Sequence, residues 1–194
     1  MKNISASVLL LLSGLCCSCE KKEAAVTVPP PTAEEIAAFA GAALKGDVTY
    51  VTTALQKGMP VNQTNEIGAT ALMLAAYEGH VDAVRSLIAA DADVNARDAD
   101  GRTALMFASS GPFPAVVKLL LEQGADVNAV DRVEHFTALM FAAAEGQSAV
   151  VDLLLAHGAD PKMKDVDNDT AAKFARDRKF FALADKLQQL MDKP

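Results

Sequence analysis

A repeated string of four residues, Thr-Ala-Leu-Met, limits the fold of this chain more than any other feature of its sequence. The string begins at Thr70, at Thr103 and at Thr137, so that its copies are offset by 33 and then by 34. The Val-Asn pairs at 61–62, 94–95 and 127–128 recur with an offset of 33. Because several independent positions share one period, we expect the chain after residue 32 to be an array of similar units.

Each period contains the signals for two short helices. A threonine stands before each Ala-rich stretch, where its hydroxyl can cap the amides of a first helix, at Thr70, Thr103, Thr137 and Thr170. Gly79 and Gly146 suit the left-handed residue that ends this helix. Apolar residues then follow at i, i+3 and i+4, as at Val84, Leu87 and Ile88, which predicts a buried stripe on a second helix.

Helix, turn, helix and projecting turn within one such period resemble the ankyrin repeat. The family pattern D-x-x-G-x-T-P-L-H-x-A appears at residues 98–108 as D-A-D-G-R-T-A-L-M-F-A. The resemblance covers residues 33–194 and implies an all-α ankyrin-repeat solenoid of five helix-turn-helix units. Three good units (66–98, 99–131 and 132–165) are expected between degenerate N- and C-terminal caps at 33–65 and 166–191.

The chain departs from the ankyrin pattern at two positions in each of the three good units. Ala71, Ala104 and Ala138 stand where the family has Pro, which weakens each helix start slightly. Met73, Met106 and Met140 stand where the family has His. We expect this change to remove the hydrogen bonds that the histidine makes to the turn, and to add adaptable apolar packing.

The N-terminal residues resemble a bacterial lipoprotein signal. Lys2 precedes an apolar run at 4–15, and the three cysteines of the chain, Cys16, Cys17 and Cys19, follow it. Twelve helical residues span about 18 Å, less than the roughly 30 Å of a bilayer core. The resemblance implies a signal peptide at 1–19 and a lipid on Cys19, with Cys17 as second choice. Export without a lipid, or an uncleaved apolar stub, are the alternatives.

A Pro-rich segment at 20–32 connects that signal to the repeats. Three consecutive prolines at 29–31 favour an extended, semi-rigid tether. At roughly 3.1 Å per residue, the tether holds the repeats about 40 Å from a membrane. We therefore expect an exported protein in the periplasm, anchored to the outer membrane through its lipid alone.

Composition and motif content exclude several classes of function. Lys plus Arg number 18 and Asp plus Glu number 25, and a net charge of −7 argues against binding to nucleic acid. Aromatic residues make up 5% of the chain and Trp is absent, which argues against a cofactor pocket. No cysteine follows residue 19, and no phosphate loop or hydrolase motif is present. We expect no enzyme activity, no catalytic residues and no cofactor.

A calcium-like pattern at residues 91–95 does not complete a metal site. Asp91, Asp93 and Asn95 match the start of a calcium loop, but Ala96 and Arg102 stand where Gly and a bidentate carboxylate belong. No metal is therefore expected.

By resemblance to ankyrin proteins, the turn tips and the exposed face of the first helices should contact a partner protein. The chain is expected to act there as a monomeric protein-binding module. The alternatives are a periplasmic small-ligand or metal-sensing protein and a structural subunit of the envelope. The matching positions are Lys45, Ile67, Ala69, Tyr77, Glu78, Arg102, Ser110, Phe136, Ala144 and Glu145.

Two irregular turns interrupt the pattern of the good units. One extra residue lies in 132–136, and His135 replaces the turn glycine. We expect this turn to project outward and to expose Phe136 as an interface anchor; alternatively, Phe136 packs onto its own repeat. Phe113, between two prolines, is expected to pack against the neighbouring unit rather than to contact a partner.

Overall fold

Ten α-helices, arranged as five consecutive pairs, form the part of the chain that the computed structural model describes, residues 29–192. Their bounds are α1 (Ala33–Lys45), α2 (Val48–Gln56), α3 (Ala71–Tyr77), α4 (Val81–Ala89), α5 (Ala104–Ser109), α6 (Pro114–Glu122), α7 (Ala138–Ala144), α8 (Ser148–Ala156), α9 (Ala171–Asp177) and α10 (Phe181–Met191). This confirms the all-α fold and its paired units. Among residues 29–192, every helix is too short or too polar to cross a bilayer.

The helices form two layers. The first helix of each pair packs against the first helix of the next, from α1 through α3, α5 and α7 to α9. The second helices α2, α4, α6 and α8 make the other layer. The core lies between the layers, where the predicted stripe residues Val84 and Leu87 are fully buried, as are their counterparts Val117, Leu120, Val151 and Leu154. Ile88, the third residue of the predicted stripe, is only partly buried.

The predicted threonine caps form at three of the four positions. The hydroxyl oxygens of Thr70, Thr103 and Thr137 accept the amide three residues ahead at 3.4, 3.4 and 3.2 Å. Thr170 makes no side-chain cap bond, so the prediction is wrong there. The three capping threonines are buried, whereas Thr170 is partly exposed, so water can satisfy the amides at the start of α9.

Methionine sulfur atoms keep a hydrogen bond that we expected to be lost. Met73 Sδ accepts the Thr70 amide at 3.4 Å, and Met140 Sδ accepts the Thr137 amide at 3.5 Å. Both methionines are buried beneath the helix start. The thioether is a weak acceptor, but it leaves no buried amide unpaired at these two caps.

The repeated asparagines connect neighbouring units. The side-chain oxygens of Asn62, Asn95 and Asn128 accept the amides of Asp93, Asp126 and Asp160 at 2.9, 2.8 and 2.9 Å. Asn95 and Asn128 also donate to the carbonyl oxygens of Gly124 and Gly158. We call these hydrogen bonds of Asn62, Asn95 and Asn128 the asparagine ladder. Because each one joins a unit to the next, it explains why the Val-Asn pair recurs with the period of the fold.

In three of the five units the residue before the second helix also joins adjacent units, because its ring covers the turn glycine of the preceding unit. A Cβ added to Gly79 would collide with the ring of Phe113, and Phe180 covers Gly146 in the same way. His80 covers Gly46, and its Nε2 lies 3.0 Å from the Leu44 carbonyl oxygen. Phe113 therefore packs against the neighbouring unit, as predicted.

Candidate protein-binding face

One side of the first-helix layer faces away from the second helices, and we call it the inner face. The residue four positions after each threonine is apolar and only partly buried there. Most apolar residues around it in the first helices are buried, so this column forms a row of apolar side chains that remain partly exposed. We call its members the apolar strip: Leu74, Phe107, Phe141 and Phe174.

Tyr77 and Arg102, both predicted partner-binding residues, meet on the strip residue Phe107. The rings of Tyr77 and Phe107 are edge to face, with centroids 6.0 Å apart. The Arg102 guanidinium carbon lies 5.0 Å from the centroid of the same ring. Arg102 is held there by ion pairs to Asp98 at 2.9 Å and Asp100 at 3.0 Å. The face is thus ordered at this point without a partner.

Phe136 is not the exposed anchor that the sequence predicts. It is half-buried, and its ring makes edge contacts with Phe141 at 5.6 Å and Phe174 at 5.0 Å between centroids. The turn 132–136 is tied to both neighbouring units, since Arg132 N–H donates to the Asp100 carbonyl oxygen and Val166 N–H donates to that of Glu134. His135 takes the turn glycine's role with φ 59°. The packing alternative is the one that the structure supports.

The remaining predicted residues fall into two groups. Exposed side chains on the inner face and the turn tips are those of Lys45, Ile67, Glu78 and Glu145. Ser110 and Ala144 are partly buried, and the Ser110 hydroxyl donates to the Phe107 carbonyl oxygen at 2.7 Å. Ala69 is fully buried, so its predicted exposure is wrong. It lies directly before the buried cap residue Thr70 and joins the core.

Sequence reasoning missed the apolar strip, although its signal was present. Each member stands at the same place in the period as the others, four residues after a threonine. Alignment to the family pattern pointed to the turn tips and to the exposed face of the first helices. The positions that it selected on those helices, such as Tyr77 and Glu145, do not include the strip residues, which are only partly exposed.

Exposed carboxylates surround the strip. Two of these carboxylates lie on turn tips, at Glu66 and Glu134. The other two follow the ends of first helices, at Glu78 and Glu145. None of them forms an ion pair with another residue in 29–192. Cations lie among them as well. Arg97, Arg102 and Arg132 lie in the turns between these units, Lys45 ends α1, and Arg178 follows α9.

A groove of ≈ 720 Å³ lies at the N-terminal end of the inner face. We call it the N-terminal groove. One wall is α1 and the other is the turn 64–67, with Leu74 of the strip closing it. Its lining residues are Ala33, Ile36, Ala37, Ala40, Gly41, Leu44, Thr64, Asn65, Glu66, Ile67 and Leu74.

Within residues 29–192, no group of three His, Cys, Asp or Glu side chains is placed to hold a metal ion. His80 Nε2 lies 3.0 Å from the Leu44 carbonyl oxygen of the preceding unit, and His157 Nδ1 lies 2.9 Å from the Leu153 carbonyl oxygen, so both rings contact backbone within the repeats. The predicted lipidation residues Cys19 and Cys17, and the signal and most of the tether, lie outside the described residues.

Comparison with known families identifies ankyrin repeats in this chain. The family model described as ankyrin repeats (3 copies) matches the chain over residues 8–98, 36–131 and 98–165. The matches together span residues 8–165, and the helix pair α9 and α10 follows them. No curated protein matches the chain.

Proposed function

The chain belongs to the ankyrin-repeat family, and from that premise we propose that it is an exported, membrane-tethered module that binds a partner protein on its inner face. The apolar strip is the observation that carries this proposal. Four neighbouring units present an apolar side chain at the same surface position, and water covers part of each one. Contiguous apolar surface rimmed by polar residues is typical of protein interaction sites.

The composition of the inner face fits the anatomy of a protein interface. Aromatic rings at the centre and charged side chains at the rim are what such interfaces combine. Tyr77 is 48% exposed and rests on Phe107, so a partner can bury the rest of its ring without any rearrangement of the inner face. A preformed surface of this kind binds with little change of backbone shape.

Two tyrosines give a matched test of this face. Tyr77 lies on α3 of the inner layer and is 48% exposed; Tyr50 lies on α2 of the other layer and is 43% exposed. The full chain, in detergent, captures proteins from a bacterial envelope extract, and the affinity of an identified partner is then measured. We expect Tyr77→Ser to weaken that affinity by about 5–30-fold, and Tyr50→Ser to leave it unchanged. Equal effects of the two substitutions would refute the assignment of this face.

Export and tethering rest on the sequence. The apolar run at 4–15, the cysteine cluster and the three prolines are arranged as in a lipoprotein with a spacer. Glu20, rather than Asp, follows Cys19; by resemblance to lipoproteins, this favours the outer membrane. In this arrangement an extended tether could hold the repeat domain up to about 40 Å from the bilayer, within reach of a soluble or membrane-bound partner.

Replacing all three cysteines by serine tests the anchor. Because the helices of 29–192 are too short or too polar to span a bilayer, we expect the triple variant to leave the membrane fraction and to appear in the soluble periplasmic fraction. Cys16→Ser alone is the matched control and should remain with the membranes until detergent is added. Persistence of the triple variant in the membrane fraction would overturn the lipid anchor while leaving the inner-face test unaffected.

A further inference from the structure

The N-terminal groove exists because the first unit lacks a side chain on the strip. By the 33-residue period, Gly41 stands where Leu74, Phe107 and their counterparts stand in the later units. A Cβ built on Gly41 meets no atom within 4 Å. With Ala37 and Ala40 beside it, α1 presents a smooth, small-residue wall, and the strip is interrupted at this unit.

The walls of the groove are apolar and partly exposed to solvent. Ile67, at the turn tip, is 60% exposed, and Leu44, near the C-terminal end of α1, is 37% exposed. Covering apolar surface of this kind is favourable by about 25 cal/mol per Å². The groove's ≈ 720 Å³ falls within the range of volumes that hold small ligands or a few side chains.

Negative charge borders this apolar space. Glu66 is the charged residue of the lining, and Glu34 and Glu35 occupy the first turn of α1. Hydrogen bonds from the amide and hydroxyl of Thr32 lower the pKa of Glu35, so this carboxylate stays ionised. Neither Glu34 nor Glu66 has an ion pair within residues 29–192. Lys45 is the last residue of α1, at the opposite end of this helix from Glu34 and Glu35.

We infer that the N-terminal groove binds a peptide segment of the partner in which one or two large apolar side chains are flanked by Lys or Arg. The apolar side chains occupy the space above Gly41, and a flanking cation faces Glu66. Glu34 and Glu35, in the first turn of α1, add negative charge at that end of the helix. Leu74 belongs both to the groove and to the strip, so an extended segment continues from one to the other. The inference rests on the proposed function and specifies the chemistry of the partner.

Three synthetic peptides serve as probes of this chemistry. Each is a dye-labelled hexapeptide with capped ends: Gly-Lys-Leu-Phe-Lys-Gly, a version with both lysines replaced by glutamate, and a version with Leu and Phe replaced by serine. Binding to the full chain is measured by fluorescence anisotropy at low and high salt. We expect the lysine peptide to bind at least about tenfold more tightly than either of the others, and salt to weaken it.

A substitution that fills the groove with one of the protein's own side chains tests the binding site more directly than the peptides do. Gly41→Leu places a side chain in the open space, and we expect it to weaken lysine-peptide binding at least about tenfold. Its melting temperature should not fall, because Leu is a better helix former than Gly. Glu66→Gln should weaken binding about threefold and remove part of the salt dependence. The matched controls are Thr53→Leu, at an exposed site on α2, and Glu134→Gln, at another turn tip, and both should bind like the original chain.

The outcomes separate this inference from the proposed function. Unchanged peptide binding by Gly41→Leu would overturn the groove assignment. Tighter peptide binding after Val26→Ser and Val28→Ser would show that the chain's own N-terminal segment fills the groove, which would also overturn it. If a captured partner is lost with Tyr77→Ser but kept with Gly41→Leu, the inner face stands and the groove inference fails. Groove-dependent peptide binding without any captured partner would support the groove and count against the proposed function.

Discussion

Phe136 shows how strongly the neighbouring unit decides the role of a residue. Its ring makes two edge contacts, one with Phe141 of its own unit and one with Phe174 of the next. We expect Phe136→Ala to destabilise the fold, because it removes both contacts and opens the junction between the last two units.

The magnitude follows from those contacts and from burial. Each aromatic pair contributes about 0.5–1.5 kcal/mol beyond the area that it buries, so two pairs contribute about 1–3 kcal/mol. Half of a fully buried phenylalanine's transfer free energy adds about 1 kcal/mol. The free energy of unfolding should therefore fall by about 2–4 kcal/mol. In a domain of this size, that lowers the melting temperature by roughly 5–15 °C.

A thermal melt followed by circular dichroism measures this change, with Val133→Ala as the control. Val133 lies in the same turn but is 58% exposed, so its truncation should cost less than about 0.5 kcal/mol. A double-mutant cycle between Phe136→Ala and Phe174→Ala should give a coupling of about 0.5–1.5 kcal/mol. A melting temperature for Phe136→Ala no lower than that of Val133→Ala would refute the packing role and return Phe136 to the partner-binding residues.

Two further predictions concern helix caps and the asparagine ladder. Thr103→Ala should lower the free energy of unfolding by about 1 kcal/mol, whereas Thr170→Ala, which removes no cap bond, should change it by less than about 0.5 kcal/mol. Equal urea midpoints for the two would contradict the caps. Asn95→Ala removes bonds to Asp126 and Gly124 and should cost about 1–3 kcal/mol in the same assay; Gln123→Ala, at an exposed site, should cost nothing measurable.

The sequence predicts the fold almost completely because the fold is periodic. A core residue such as Leu87 has its counterparts one and two periods onward, at Leu120 and Leu154, and burial of one implies burial of all when units stack. Gly79 and Gly146 end their helices with φ of 75° and 68°, as their place in the period requires. Where the period is broken, a substitute takes the same backbone conformation, as His135 does.

The prediction failed where a side chain's environment comes from another unit. The outward turn proposed for 132–136 considered the extra residue alone. It did not include Phe174 of the next unit, whose ring supplies a surface for Phe136. Thr170 shows the same limit from the other side, since its cap depends on burial that the last unit does not provide. The local sequence pattern determines where the helices form, but contacts between units determine which side chains remain exposed.

The inner face can be explained in the same way. Its apolar strip occupies the position of each first helix that stacking buries only in part. A position that packs between the layers is buried in every unit, whereas the strip position is buried only in part. Leu74, Phe107 and Phe141 pack against the core there while part of each side chain remains exposed, and Gly41 stands at the start of the row. A partly exposed apolar row that ends at a groove lined by Glu66 is the surface on which the proposed partner would bury apolar side chains of its own.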